Sequence, residues 1–240
     1  MTYFFADLHG DITPLIKKIK ELEASKCNTM NYFIVLGDHG LDYYLDEKDE
    51  NLKQELEKKI GDLKITIILL RGNHDVHPRN IYLYEKVEMF GGNVFVERKF
   101  SHLVFLDEAD VYCIENKDYV VYSGGHSKDW FSRILRAEYW DPSEQINDVD
   151  HKRILELYKK KIDKSKKYCL LGHQLPRKLS PYHWDGENEM EVRTEKNLQE
   201  VVDIYGSYID EIRAGHYHEN KHWKNNEKDI YVHYSNEKLI

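Results

Sequence analysis

The feature that most constrains this sequence is an apolar run that ends abruptly in polar residues. Residues 65–70 are Ile-Thr-Ile-Ile-Leu-Leu, which is typical of a buried strand, and Arg71-Gly72-Asn73-His74-Asp75 follows directly. An Asn, a His and an Asp therefore lie on the turn that leaves the carboxyl end of a strand. Open α/β sheets bind their ligands at this end, so the pentad predicts a functional site there.

Four further motifs accompany this pentad along the chain, and three of them directly follow a strand-like run of their own. They are Asp7-Leu8-His9-Gly10-Asp11, Gly37-Asp38-His39-Gly40, Gly172-His173 and Gly215-His216-Tyr217-His218. Residues two apart in an extended chain point to the same side, so Asp7 and His9 can face one pocket, as can His216 and His218. Each motif alone is more often structural than functional, but five in one order favour a single shared site.

The side chains of these motifs are of the kind that binds divalent metal ions. Carboxylate oxygens and imidazole nitrogens suit Mn, Fe, Ni and Zn. Seven candidates exceed the need of one open catalytic ion and fit two ions that share a carboxylate. The candidate ligands are Asp7, His9, Asp38, Asn73, His173, His216 and His218. Two divalent ions, two carboxylates and a bridging hydroxide leave a charge of about +1, which suits an anionic phosphate ester. His39 and His77 are interpreted as pocket or surface residues.

The pattern of the remaining residues predicts an α/β fold in a single domain that spans residues 1–240. Strand-like runs alternate with helical patterns through residues 3–70, which favours parallel βαβ units. Four short strand-like pieces within residues 93–122 are separated by turns, which is typical of antiparallel pairing. Further helices are predicted at residues 81–90, 148–164 and 194–205, strands at 168–171 and 211–214, and a closing hairpin turn at Asn225-Asn226.

The combination D-x-H, G-D, G-N-H-D, H and G-H-x-H resembles the motif set of the calcineurin-like metallophosphoesterase family. The match extends from Asp7 to His218 and is highly specific as a combination. The resemblance implies a four-layer αββα sandwich, with two mixed β-sheets flanked by helices and a dinuclear centre at the strand ends. It implies that Asp38 bridges the ions, one held by Asp7, His9, Asp38 and His218 and the other by Asp38, Asn73, His173 and His216.

The resemblance also implies a catalytic role for His74 that does not involve metal ligation. His74 would contact a phosphoryl oxygen or protonate the leaving group, which suits an imidazole beside two cations. Asp75 would orient His74 through a hydrogen bond. The implied reaction is in-line attack on phosphorus by a hydroxide that bridges two divalent metal ions, with Mn favoured and no phosphoenzyme.

The sequence departs from the Ser/Thr phosphatase branch of this family. That branch carries G-D-x-x-D-R-G, whereas Leu41 stands here at the acid position and the phosphate-binding Arg is missing. Asp42 and Asp75 are the alternative acids, and the protein-phosphatase interpretation is weakened. The segment Gly124-Gly125-His126-Ser127-Lys128-Asp129 resembles a loop of bacterial and phage members of the family.

We hypothesise that this loop and the residues after it form the substrate wall. Aromatic and cationic side chains crowd this stretch outside the metal set, namely His126, Lys128, Trp130, Arg133 and Arg136. The alternative interpretation, an ordinary helix surface, explains the pattern equally well.

Composition limits the partners and the compartment of the protein. The sequence has 35 Lys and Arg and 43 Asp and Glu, which gives a net charge of −8. A protein of this charge lacks the broad basic surface of a duplex-binding protein. The three cysteines form no CxxC pair, which favours a reducing compartment, and Cys113 and Cys169 are predicted to be buried. No apolar run approaches the ~20 residues that span a bilayer, and the start is too short for a signal peptide. We therefore expect a cytoplasmic protein.

The leading functional hypothesis is a metal-dependent phosphoesterase that acts on a small phosphorylated substrate, in an oligomeric state that the sequence leaves open. A phosphomonoesterase and a phosphodiesterase would share the same centre. A nuclease acting on short or single-stranded nucleic acid is an alternative. A non-catalytic metal-binding scaffold is a further alternative, disfavoured because every ligand and His74 are present.

Overall fold

The computed structural model describes residues 1–136, 140–180 and 193–235. Two six-stranded β-sheets pack face to face, and helices cover the outer side of each sheet. The predicted four-layer αββα sandwich with two mixed sheets is therefore confirmed.

The first sheet is built from the amino-terminal half of the chain. Numbered in chain order, its strands are β1 (Thr2–Phe5), β2 (Asn31–Leu36), β3 (Ile65–Leu70), β4 (Glu85–Met89), β5 (Gly92–Val96) and β6 (Leu103–Leu106). They lie in the order β1-β2-β3-β6-β5-β4. The first four strands of this order are parallel. Strand β5 pairs antiparallel with β6, and β4 pairs antiparallel with β5.

The carboxyl-terminal half of the chain forms the second sheet, which also has six strands. Its strands are β7 (Ala109–Ile114), β8 (Lys117–Tyr122), β9 (Tyr168–Gly172), β10 (Ile209–Ala214), β11 (Lys221–Asn225) and β12 (Lys228–Val232). The order is β11-β12-β10-β9-β8-β7, with four parallel strands in the centre and an antiparallel strand at each edge. The predicted closing hairpin is the pair β11 and β12.

Five α-helices belong to the described residues: α1 (Thr13–Ala24), α2 (Glu47–Ile60), α3 (Trp130–Leu135), α4 (Asp148–Lys161) and α5 (Arg193–Tyr205). Helix α1 has Pro14 in its first turn, and the Asp46 carboxylate caps α2 by accepting from Lys48 N at 2.8 Å. Short 3₁₀ helices occupy Pro78–Asn80 and Pro142–Glu144. Within the described ranges, no helix is both long and apolar enough to cross a bilayer.

Three apolar layers hold the sandwich together. Helices α1 and α2 pack on the outer face of the first sheet, α4 and α5 pack on the second, and the third layer lies between the sheets. Strand β3 contributes Ile67 and Leu69 to the outer layer and Ile68 and Leu70 to the middle layer. Burial on both faces explains the apolar character of residues 65–70, because every position of this strand except the partly exposed Thr66 is buried. The central strands of both sheets consequently end at the same edge of the sandwich.

Two predictions about local structure are wrong, and one alternative for a pair of histidines is excluded. Residues 81–90 are not a helix, because residues 85–89 form the edge strand β4, in which Val87 and Met89 alternate with charged side chains. Cys113 is exposed because it lies on the outward side of edge strand β7, whereas Cys169 is buried as predicted. His39 and His77 are both buried, which excludes the surface alternative for them.

A buried charged cluster lies beneath the loop that follows β2. The Lys53 ammonium donates to Asp42 Oδ1 at 3.1 Å, to Tyr84 OH at 2.9 Å and to Glu97 Oε2 at 3.4 Å. Burial raises the pKa of Asp42, and the Lys53 charge opposes this shift. Asp42 Oδ1 accepts from both Lys53 and Tyr84, and a contact between Asp42 and His74 is not among those of the described residues.

We predict that Lys53→Met destabilises the protein by about 3–5 kcal/mol, because Asp42 and Glu97 would remain buried without their cation. Urea denaturation at neutral pH measures this change. The matched control is Lys59→Met on the exposed face of α2, which should change the free energy of unfolding by no more than about 0.5 kcal/mol. Equal losses in the two variants would contradict a structural role for the buried cluster.

Candidate metal centre

The structure brings all seven predicted ligands together at the edge where the parallel strands of both sheets end. The first sheet contributes four donors on the loops after β1, β2 and β3, namely Asp7, His9, Asp38 and Asn73. The second sheet contributes the remaining three after β9 and β10, namely His173, His216 and His218. The site therefore lies across the junction of the two sheets.

One group of donors forms around His9. The Nε2 atoms of His9 and His218 are 3.2 Å apart, and His218 Nε2 lies 4.0 Å from Asp7 Oδ1. One ligand atom from each of these three residues lies within 4.8 Å of the other two. The separations are those of side chains that could bind one common ion.

A second group of donors surrounds Asn73. Its Oδ1 atom lies 2.9 Å from His173 Nε2 and 3.1 Å from His216 Nδ1. Asp38 Oδ2 is 3.5 Å from His173 Nε2 and 3.8 Å from His9 Nε2, so this carboxylate stands between the two groups. Asp7 also groups with Asp38 and His173 within 4.8 Å, which places both carboxylates within reach of two ions.

The backbone is left-handed at five of the seven donors. The φ angles are 53° at Asp7, 45° at His9, 50° at Asp38, 72° at His216 and 51° at His218. Residues other than Gly rarely adopt this region, and such conformations persist only where the surroundings impose them. The loops impose them by pairing with each other, since Asp7 N donates to Gly37 O at 3.1 Å and His9 N donates to Asp38 O at 2.8 Å.

Two glycines make room for the donors. A Cβ atom on Gly72 would lie 2.1 Å from Asp38 Oδ1, and one on Gly37 would lie 2.3 Å from His173 Nδ1. Gly37 also has a φ of 85°, which side chains disfavour. The glycines of the G-D and G-N-H-D motifs are therefore required by the close approach of neighbouring loops to the donors.

Hydrogen bonds from outside the donor set fix the direction of the ligands. His173 Nδ1 lies 2.8 Å from Leu36 O and donates to it, which turns Nε2 toward the site. The Asn73 amide nitrogen donates to Ser127 Oγ at 2.9 Å, which turns its oxygen inward. Metal ligands in proteins are oriented by outer contacts of this kind.

His216 has an outer contact of the same kind on its far ring nitrogen. Gln174 Nε2 is 3.0 Å from His216 Nε2, and Gln174 Oε1 is buried without a partner among the described residues. When the Gln174 amide is rotated by 180°, its Oε1 atom can accept a hydrogen bond from a protonated Nε2 of His216. His216 Nδ1, which faces Asn73, is then the unprotonated ring nitrogen. The orphaned oxygen thus supports ligation through Nδ1.

The electrostatics of the site show where positive charge is needed. Burial raises the pKa of Asp7 to about 8, and the nearby Asp38 acts in the same direction. Burial also acts to raise the pKa of Asp38, but the neighbouring His173 and His74 imidazoles outweigh it and hold that pKa well below its usual range. Burial opposes protonation of His173, yet Asp38 raises its pKa to about 9. The two buried carboxylates therefore favour positive charge beside them.

The remaining three imidazoles are held in the neutral form that binds metals. Burial is the largest cause that lowers the pKa of His9, His216 and His218. Facing ring nitrogens, such as the pair of His9 and His218, cannot both point a proton at each other, and an ion between them resolves the conflict. The donor set therefore fits divalent cations.

His74 lies at the rim of this centre, where two cavities meet. The first cavity, the cup, has a volume of about 350 Å³ and is lined by the donors Asp38, Asn73, His216 and His218 together with His126 and Lys128. The second, the tyrosine cavity, measures about 450 Å³ and is lined on its outer side by Tyr43, Tyr44, Lys48 and Leu52. His74 lines both cavities.

The predicted hydrogen bond from Asp75 to His74 is not among the contacts of the described residues. The Asp75 carboxylate instead accepts from Gly72 N at 2.9 Å, Gly40 N at 3.1 Å and His39 N at 3.3 Å. It clamps the loops after β2 and β3 together, which makes Asp75 a positioning residue. His74 is held through its own backbone, since His74 N donates to Asp38 Oδ1 at 2.9 Å.

Only some residues of the predicted substrate wall line a cavity in the structure. His126 and Lys128 line the cup, in agreement with the hypothesis about this loop. Arg133 is only 2% exposed and donates to Ser127 Oγ at 3.2 Å and to Tyr43 OH at 3.3 Å. Arg133 therefore holds one lining residue of each cavity, Ser127 in the cup and Tyr43 in the tyrosine cavity. Trp130 stacks on Trp140 with ring centroids 5.3 Å apart, and Arg136 is exposed at the end of α3.

Sequence reasoning missed four residues that shape the site, namely Tyr43, Tyr44, Ser127 and Gln174. Gln174 directly follows a predicted ligand, and Ser127 belongs to a loop that had been singled out, so position along the chain was a usable signal for both. The tyrosines carried no such signal.

Fold and site together define an α/β protein that gathers seven side chains of metal-binding type at one edge of a two-sheet sandwich. The sequence model of the calcineurin-like phosphoesterase family matches residues 2–220, and the chain belongs to this family. Members hydrolyse phosphoesters with the help of divalent metal ions.

Comparison with solved structures finds relatives of low sequence identity. The phosphopantetheinyl hydrolase PptH from Mycobacterium tuberculosis is 14% identical, with a TM-score of 0.49 over 98% of this chain and 89% of that chain. GAP50, the anchor in the inner membrane complex of Plasmodium, is 12% identical, with a TM-score of 0.49 over 98% of this chain and 71% of that chain. Comparison with curated protein sequences gives no match.

We predict that Ser127→Ala weakens the binding of Mn²⁺ about 10-fold or more, because the Asn73 amide loses the acceptor that orients its oxygen. Isothermal titration calorimetry of the metal-free protein measures this affinity. Ser101→Ala, at an exposed position away from the site, is the matched control and should bind Mn²⁺ like the wild type. An unchanged affinity in Ser127→Ala would contradict the orienting role.

Proposed function

We propose that this protein hydrolyses small phosphate esters at a centre of two divalent ions, with Mn favoured. One observation carries the proposal: seven donors converge in two groups that share buried carboxylates, and a histidine outside both groups stands at the rim. Asp38 is proposed as the bridge, since it reaches toward His9 on one side and His173 on the other. Two bound cations would supply an activated water and neutralise the charge of the substrate phosphate.

The cup is the proposed seat of the phosphoryl group. Its donors include Asn73, a neutral amide, so the ligands do not cancel the whole positive charge of the metals. Lys128 adds a cation on the opposite wall, and its charge contributes to lowering the pKa of His216. An anionic phosphoryl group is therefore favoured in the cup over a neutral ligand.

His74 is the proposed general acid for the leaving group. Its Nε2 atom lies 3.9 Å from Asp38 Oδ2, and its ring meets that of His9 edge to face at 5.3 Å. These contacts hold the imidazole against the centre while its position between the cavities leaves it open to substrate. With phosphorus in the cup and the organic group in the tyrosine cavity, the ester oxygen lies beside His74, where a proton can be donated to it.

A phosphodiesterase is the second candidate function, and one observation favours it. Cavities open on both sides of His74, so each arm of a diester has a place. A large duplex substrate is disfavoured, because the net charge of −8 repels a polyanion.

We predict that the protein hydrolyses para-nitrophenyl phosphate faster than bis-para-nitrophenyl phosphate when Mn²⁺ is added, and that a chelator abolishes both reactions until Mn²⁺ is restored. Release of nitrophenolate measures the rates. A preference for the diester would support the second candidate instead. Inactivity on both esters, with metal bound at two equivalents by elemental analysis, would contradict the enzyme proposal and favour a metal-binding scaffold.

We predict that His74→Asn lowers kcat by about 10²–10⁴-fold while the Mn²⁺ content stays at the wild-type level, because the acid is lost but the donors remain. Asp38→Asn should lose both turnover and metal, because the shared carboxylate is removed. His222→Asn is the matched histidine control, since His222 lies exposed on β11. Full activity in His74→Asn would rule out the general-acid role.

A further inference from the structure

We propose that the tyrosine cavity binds a planar heteroaromatic ring carried by the leaving group of the substrate. This inference rests on the proposed phosphoesterase function and names the substrate class: phosphate esters of alcohols that bear such a ring. The cavity shares His9 and His74 with the metal centre, so a group bound there can be joined to a phosphorus atom in the cup. Its volume of about 450 Å³ lies within the range of small-ligand sites.

Aromatic side chains form the wall of the cavity. The rings of Tyr43 and Tyr44 meet at 4.7 Å with an interplanar angle of 87°, and Tyr43 lies 6.4 Å from the His74 ring. Tyr44 is 56% exposed, so much of its ring surface is open to a ligand in the cavity. An aromatic wall of this kind favours a flat ring, because stacked and edge-to-face contacts stabilise aromatic pairs beyond the area they bury.

The wall is held in place before any ligand arrives. Arg133 donates to the hydroxyl of Tyr43 at 3.3 Å from its buried position. The buried Asp49 carboxylate accepts from Tyr44 N at 2.8 Å and from Leu45 N at 2.7 Å. A loop anchored at these points loses little freedom on binding, which favours affinity for a rigid ligand.

The floor of the cavity lacks side chains. Gly10 and Gly40 both line it, and a Cβ atom on Gly40 would lie 2.3 Å from Gly10 N. A Cβ atom on Gly10 would lie 3.6 Å from Leu52 Cδ1 and would narrow the space between floor and wall. Gly40 thus allows its loop to pack against the Gly10 backbone, and the missing side chain of Gly10 leaves space beside Leu52, a slot that suits a planar group.

Lys48 gives the slot a polar specificity. Its ammonium lies 4.2 Å from the centroid of the Tyr44 ring, and within the described ranges no carboxylate pairs with it. A ring that stacks on Tyr44 would therefore place its edge near an available donor. Ring nitrogens and exocyclic carbonyl oxygens accept from such a cation, whereas a plain hydrocarbon ring has no acceptor to offer.

The test compares adenosine 5′-monophosphate with ribose 5-phosphate in the presence of Mn²⁺. Both esters release a primary alcohol from the same sugar carbon, so their intrinsic reactivities match and only the heteroaromatic ring differs. We expect the wild type to favour the nucleotide in kcat/KM, and Tyr44→Ala to reduce the ratio of the two kcat/KM values about tenfold. Tyr44→Phe should keep the ratio, because it keeps the ring.

Two further variants test whether the preference for the nucleotide arises in the tyrosine cavity. Lys48→Met should also reduce the ratio, whereas Tyr82→Ala, which removes a tyrosine that is 98% exposed and outside both cavities, should leave it unchanged. Because Tyr44 is largely exposed, its replacement leaves the apolar layers intact, and a thermal melt checks this.

The outcomes separate the two proposals. Hydrolysis of neither ester, nor of any other phosphate ester, overturns the proposed function. Hydrolysis of both esters with a ratio that Tyr44→Ala does not change overturns the inference about the tyrosine cavity and leaves the phosphoesterase proposal intact. A ratio that falls in Lys128→Ala but not in Tyr44→Ala would place the ring in the cup and would likewise overturn the inference.

Discussion

The structure depends on bringing two buried carboxylates, Asp7 and Asp38, into one site that excludes water. Like charges at this separation repel strongly in a medium of low dielectric constant, so the arrangement requires positive charge beside them. Against the effect of burial, the two carboxylates accordingly raise the pKa of the neighbouring His173 to about 9. The donors add a second cost, since five of them adopt left-handed backbone conformations that cost about 1–3 kcal/mol each. The three apolar layers offset these costs, which explains why the site lies at the edge of an extensive core.

The sequence was most informative where a residue is constrained by its immediate neighbours along the chain. Strands buried on both faces leave a continuous apolar run, so residues 65–70 and 103–106 could be assigned with their observed bounds. The donors could be found because polar residues follow several such strands directly or after a single glycine. Asp38 is the clearest case, because it follows Gly37 directly and its carboxylate lies against Gly72 of the next loop.

The rest of the site depends on contacts between segments that are distant along the chain. Asp75 follows His74 directly, yet its partners are backbone amides of another loop, and no local pattern reveals this. Arg133 looked like a substrate ligand because it is a cation on a short helix, but burial against Tyr43 and Ser127 decides its role. Edge strand β4 was mistaken for a helix because Glu, Lys and Met favour helices and Glu and Lys are uncommon in strands, although Val87 and Met89 alternate with charged residues as in an edge strand.

The hydrogen bond from His173 to the carbonyl of Leu36 links an end of one sheet to an end of the other. Four donors move with the first sheet and three with the second, so the gap between the sheets sets the size of the coordination sphere. The packing of residues such as Ile68 and Val121 in the middle layer determines that gap. At the proposed metal centre, discrimination between ions of different radius would therefore depend partly on hydrophobic residues outside the donor set, and it could evolve without any change of ligand.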